Sequence, residues 1–78
     1  MDDKSILGHI HELVEEEHQL RSRRASLDGA ARQRLELLER ELDQYWDLLR
    51  QRRAREEYGD NPDEAKQRSV DEVESYLQ

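Results

Sequence analysis

Leu35-Glu36-Leu37-Leu38-Glu39-Arg40-Glu41-Leu42-Asp43-Gln44-Tyr45-Trp46-Asp47-Leu48-Leu49 decides the fold. Apolar side chains at Leu35, Leu38, Leu42, Tyr45, Trp46 and Leu49 recur at intervals near three and four, the repeat of one helix face. Strong helix formers fill the remaining positions, and no β-branched residue occurs between Val14 and Val70. Upstream, Ile6, Leu7, Ile10, Leu13, Val14 and Leu20 show the same repeat, covering a face about 140° wide at about 100° per residue. Two long helices follow.

Between them, Ala25-Ser26-Leu27-Asp28-Gly29 is the one turn signal. Asp28 or Ser26 caps the second helix, since a side-chain oxygen there accepts from the free amides at a helix start. So short a connection makes neighbouring helices antiparallel. The expected elements are a helix over about 3–26, a turn at 26–30 and a helix over 30–58 closed by Gly59. Asn61-Pro62-Asp63-Glu64 reads as a fresh helix start. Ser69-Val70-Asp71-Glu72 is a capping box that opens a segment with Val70, Val73, Tyr76 and Leu77 on one side. This helical tail, 62–77, is too short to stand alone and must pack on something. The whole of 1–78 is one all-α domain.

With 42% charged and 33% hydrophobic residues the chain borders on disordered composition, and the helical repeat decides for order. A net charge of −7 disfavours general attraction to nucleic acid. Without cysteine there is no disulfide, thiol nucleophile or thiolate metal site. No apolar run is long enough for a membrane span or export signal, so a cytoplasmic protein is expected. No phosphate loop, nucleophile elbow or Ser/His/Asp set is present, and enzyme activity and cofactors are not expected.

A two-helix hairpin cannot bury both its sides, and small chains without disulfide or metal commonly solve this by oligomerising. Leu37 and Leu48, about three turns apart, stack on a strip away from the main face. That strip predicts a second contact surface, where two hairpins pair as a dimeric four-helix bundle burying Leu37, Tyr45, Trp46 and Leu48. If facing positions sum to about 58, as a turn near residue 29 implies, Glu12, Glu15, Glu16 and Glu17 lie beside Glu41, Asp43 and Asp47. Arg50, Arg52, Arg53 and Arg55 then lie near the start of the first helix. A second chain is one way to relieve the like-charge contact; local pairs such as Glu36–Arg40 are the other.

Three groups of residues can carry chemistry. Glu17 lies in the apolar face between Leu13 and Leu20, and a buried carboxylate needs partners. Arg21 and Arg24 follow on the same face, and Tyr45 has a hydroxyl to offer; an ion pair that fixes helix register is the favoured reading over a catalytic or ligand-binding acid. His11, Glu15 and His18 share a face at zinc-ligand spacing, with His9 nearby, and Glu15-x-x-His18 is the spacing of di-iron bundles. The pair lies outside the apolar face, so a solvated surface is the plainer reading, with a small metal-binding bundle as the alternative. Trp46 followed by Arg50, Arg52, Arg53 and Arg55 has the residue types of a nucleic-acid surface. Its place on the apolar face, where Arg50 can stack over the ring, favours protein contact instead.

Several of these stretches resemble a family of short actinobacterial proteins. The likeness runs from Asp2-Asp3-Lys4 to Ile10, through Leu13-Val14, Glu16-Glu17-His18 and Leu42-Asp43-Gln44, then over Trp46 to Ala54. It continues in Asn61-Pro62-Asp63-Glu64-Ala65 and Val73-Glu74-Ser75-Tyr76-Leu77-Gln78, with residues 22–33 its loosest part. The family is catalogued as a domain of unknown function. The resemblance therefore implies size and context but no activity. The expected molecule is an antiparallel helical hairpin with a helical tail, an interaction or scaffold module acting as a homodimer.

Overall fold

The structure, a computed structural model, describes residues 2–77 apart from the side chains of Arg24 and Tyr76. Helix α1 (Asp3–Ser22) starts where Asp2 Oδ1 accepts from the Ser5 amide at 2.8 Å. That hydrogen bond holds the Asp2 carboxyl below its ordinary range. The helix ends at Ser22, short of the expected bound near residue 26, and a 3-10 turn at Arg24–Ser26 leads to Leu27, which is buried. Asp28 then caps helix α2 (Gly29–Glu57) by accepting from the Ala31 amide at 2.8 Å. At 29 residues, α2 is about 43 Å long and spans nearly the whole 48 Å of the molecule's long axis.

At the far end Gly59 takes φ 75°. Its amide donates to Glu56 O and that of Asp60 donates to Arg55 O at 2.7 Å, the paired closure of a left-handed helix end. Asn61 caps a 3-10 turn at Pro62–Glu64 that does not grow into a helix. Residues 65–69 run without helix back along α2. Helix α3 (Val70–Leu77) begins where Ser69 Oγ accepts from the Glu72 amide at 3.2 Å. The described residues thus form a long antiparallel hairpin with a third helix returned onto α2.

The core has two parts. Leu20, Leu27, Leu35 and Leu38 close the turn end, while Ile6, Ile10, Leu42, Leu48 and Leu49 fill the open end, with Leu13 packing on both. Val73 plants α3, with no exposed surface. At about 25 cal/mol per Å² of apolar surface buried, full burial of such a side chain contributes roughly 1.5–3 kcal/mol.

Two packing expectations are corrected here. Leu48 is 6% exposed and belongs to the core, while Leu37 is 51% exposed. The two stack along α2, but the chain itself covers Leu48: Ala65 packs against its cluster. That cover does not reach Leu37, about three turns away. Trp46, expected to be buried, is 41% exposed. The main seam of α2 is Leu35, Leu38, Leu42, Tyr45, Leu49 and Arg52, and Trp46 lies one position outside it.

Candidate functional site

Arg52 completes that seam with a guanidinium in place of an apolar group. It is 6% exposed, its Nε donates to Asp3 Oδ1 at 2.6 Å, and its Nη1 donates to Asp63 Oδ1 at 2.9 Å and to Pro62 O at 3.2 Å. The start of α1, the end of the α2 seam and the turn after α2 are joined by this one side chain. Its hydrogen bonds to the Asp3 and Asp63 carboxylates hold the Arg52 cation above its ordinary pKa. Expected as an interaction residue near the start of helix one, it occupies the expected place but is consumed within the chain.

On the side of α2 that meets the returning chain, Gln44, Asp47 and Gln51 follow one another at three and four residues. Gln44 Nε2 donates to Arg68 O at 3.1 Å and Gln51 Nε2 donates to Lys66 O at 2.8 Å, so two side chains supply the donors that residues 65–69 lack. Gln51 also donates to the buried Asp47 at 2.9 Å, and Arg68 Nε lies 3.7 Å from the same carboxylate. A polar stripe inside a helix otherwise packed on two sides was the available signal for this strap. Arg34 was missed as well. Its Nε donates to Glu16 Oε2 at 2.7 Å, and its Nη1 lies 3.8 Å from Glu41, which places a cation inside the like-charge contact. The hydrogen bond from Arg34 lowers the Glu16 pKa, and the same bond raises that of Arg34.

Glu17 is not a buried charge. Its side chain is 21% exposed and meets Arg21 at 3.7 Å, while Arg21 bonds more closely to Glu39, at 2.7 Å. The Tyr45 ring is stacked on His9 at 5.3 Å instead of serving Glu17, and the side chain of Arg24 lies outside the described residues. His11 and Glu15 are 3.7 Å apart on an exposed surface, with His18 also exposed. Among the described residues no group of three histidines and acids is gathered to hold a metal ion.

What remains open is the outer side of α2. Trp46 is flanked there by exposed Arg50 and Arg53, and neither arginine has an ion-pair partner among the described residues. Arg50 makes no described contact over the Trp46 ring, contrary to the stacked arrangement expected. Beside this surface, the Glu74 carboxyl of α3 lies against that of Asp43 on α2. Glu74 Oε1 is shielded from solvent, and no described donor reaches it. The hydrogen bond with Asp43, then burial and the Asp43 charge, raise the Glu74 pKa, and Arg40 offsets this only in part. Two carboxyls in contact satisfy one another only when one keeps a proton.

Compared with known proteins, residues 2–78 match the family described as protein of unknown function (DUF2630). The chain belongs to this family. It is similar to the uncharacterized proteins Rv0898c of Mycobacterium tuberculosis and Mb0922c of Mycobacterium bovis. Each is 47% identical over 77 residues, covering 95% of this chain and 88% of the relative. No solved structure matches the chain. The resemblance carried by the tryptophan–arginine stretch and the two chain ends is thereby shown, and the family as described brings no activity. No described helix is long and apolar enough to cross a membrane.

Proposed function

We propose that this small helical protein is a protein–protein interaction module that acts as a cytoplasmic homodimer and has no catalytic role of its own. The observation that carries the reading is the outer side of α2, where a tryptophan 41% exposed stands beside two arginines that have no described ion-pair partner. Tryptophan and arginine are the side chains most often found to dominate interfaces. Leu7 and Val14, each 43% exposed, add apolar surface on α1. A cytoplasmic setting is supported by the acidic, cysteine-free composition. Sedimentation equilibrium at micromolar concentration tests the reading. The expected result is about twice the chain mass of 9.4 kDa, reduced to the chain mass by Trp46→Ala. A wild-type chain that stays monomeric throughout that range would sink it.

A further inference from the structure

Glu39, Asp43, Trp46, Arg50 and Arg53 succeed one another at four, three, four and three residues, so they form one strip along α2. The ring stands in the middle, with acids before it and arginines after it. Turned end for end about Trp46, the strip meets its own complement. Arg53 lies as far beyond the ring as Glu39 lies before it, and Arg50 and Asp43 are mismatched by one residue, about 1.5 Å of helix rise. The ion pair of Glu39 with Arg21 also locates the apolar surface on α1, because Arg21 stands on the same helical strip as Val14 and Leu7. Both lie along the edge of the Trp46 strip.

A second observation points to the same occupant. Glu74 Oε1 is shielded and without a donor among the described residues, and the Glu74 carboxyl lies against that of Asp43, which itself belongs to the strip. Among the described residues no cation is hydrogen-bonded to the pair, Arg40 offsetting its charge only in part, and the strip carries in Arg50 a cation without a described anion. Within one chain they cannot meet, since Asp43 and Arg50 are about 10 Å apart along the helix. Between two antiparallel copies they can.

Resting on the homodimer reading, we propose that a second copy docks antiparallel, α2 against α2, with both Trp46 rings at the two-fold axis and each Arg50 guanidinium set between the Asp43 and Glu74 carboxyls of the other chain. Such a contact is isologous, so each complementary pair occurs twice and the assembly closes at two chains. A guanidinium there favours the charged form of both acids. Docking therefore lowers the raised pKa of Glu74, which in the free chain is faced by Asp43 and Arg40 of α2, with Asp71 one turn away on α3. Assembly weakens as pH falls through the range in which Glu74 takes up a proton.

The test is a charge exchange followed by sedimentation equilibrium. Arg50→Glu alone sets two acids against each other at both ends of the contact, and Asp43→Arg alone sets two arginines together. Each should weaken self-association by about tenfold or more. An equimolar mixture of the two variants sets opposite charges at positions 43 and 50 at both ends of the mixed pair, with Glu74 opposing the introduced acid at one end, so it should dimerise more strongly than either variant alone and less strongly than the wild type. Neither side chain forms a described ion pair within its own chain, so the thermal melt of each variant by circular dichroism should remain cooperative. If the wild-type chain dimerises while the mixture gains nothing over the single variants, the antiparallel α2 contact is wrong and the homodimer survives. If the wild-type chain is monomeric, both fall.

Discussion

Arg50, Arg52 and Arg53 carry the same side chain within one turn of α2, yet among the described residues only Arg52 has hydrogen-bond partners for its guanidinium. The difference is angular position. Arg52 continues the seam of Leu42, Tyr45 and Leu49 and reaches Asp3 and Asp63, whereas its neighbours point to the outer side. Asp63 is 70% exposed and Asp3 is 37% exposed, so solvent screens the charges and the hydrogen-bond geometry supplies most of the stabilisation. Arg52→Met keeps the apolar stem and removes three donated bonds, leaving two carboxylates without their common cation. It should cost about 1–3 kcal/mol by urea unfolding. Arg50→Met, measured where the chain is monomeric, should stay within about 0.5 kcal/mol. Equal shifts in the two midpoints would mean that the Arg52 hub holds nothing together.

At the scale of elements, α3 is the piece whose attachment is conditional. Its 8 residues are too few for an independent helix, so docking depends on Val73 and on the Gln44 and Gln51 bonds to the strap. Glu74 works against them. Its carboxyl titrates above the ordinary 4.5 when docked and near that value when released. The docked state therefore binds the proton more tightly, and its stability falls as pH rises from about 4.5 through the raised docked value. Glu74→Gln supplies a permanent donor to Asp43. In monomeric chain at neutral pH, amide exchange of α3 should slow in this variant, and the difference from wild type should vanish in acid. Exchange that is identical at neutral pH would remove Glu74 from the account. The long helices, Asp28 as cap, Gly59 as terminator and the Ser69 start were all legible, because each depends on local residue chemistry. The cover over Leu48 was not. It comes from a segment with almost no apolar residues, held through backbone carbonyls, which leaves no periodic trace. Glu17 misled for a related reason: a place between Leu13 and Leu20 puts it near the core, but nothing local shows how far solvent reaches.

For the whole molecule, the question is what an exposed tryptophan does on a chain whose two core clusters close without it. Two core clusters, a strap and a third helix leave little for a partner to complete in the hairpin, and folding does not need Trp46. Its truncation should accordingly cost well under the roughly 3–5 kcal/mol of a core aromatic, while assembly loses a group able to bury 150–250 Å². Position decides between contact with protein and contact with nucleic acid. The ring stands between Asp43 and Arg50, with Glu39 further along the same strip, so a phosphate backbone tracking the strip would meet carboxylates at one end. A chain of net charge −7 adds long-range repulsion. Trp46 is the only tryptophan, and its emission reports the outcome directly. Dilute protein should show the spectrum of a partly exposed indole that iodide quenches. Raising the concentration should shift the emission to the blue and protect it from iodide, over the concentration range in which sedimentation shows two chains. Arg50→Glu should hold the exposed spectrum to higher concentration. Emission that ignores protein concentration but is quenched by single-stranded oligonucleotide would overturn the interface reading and turn the arginine pair toward phosphate.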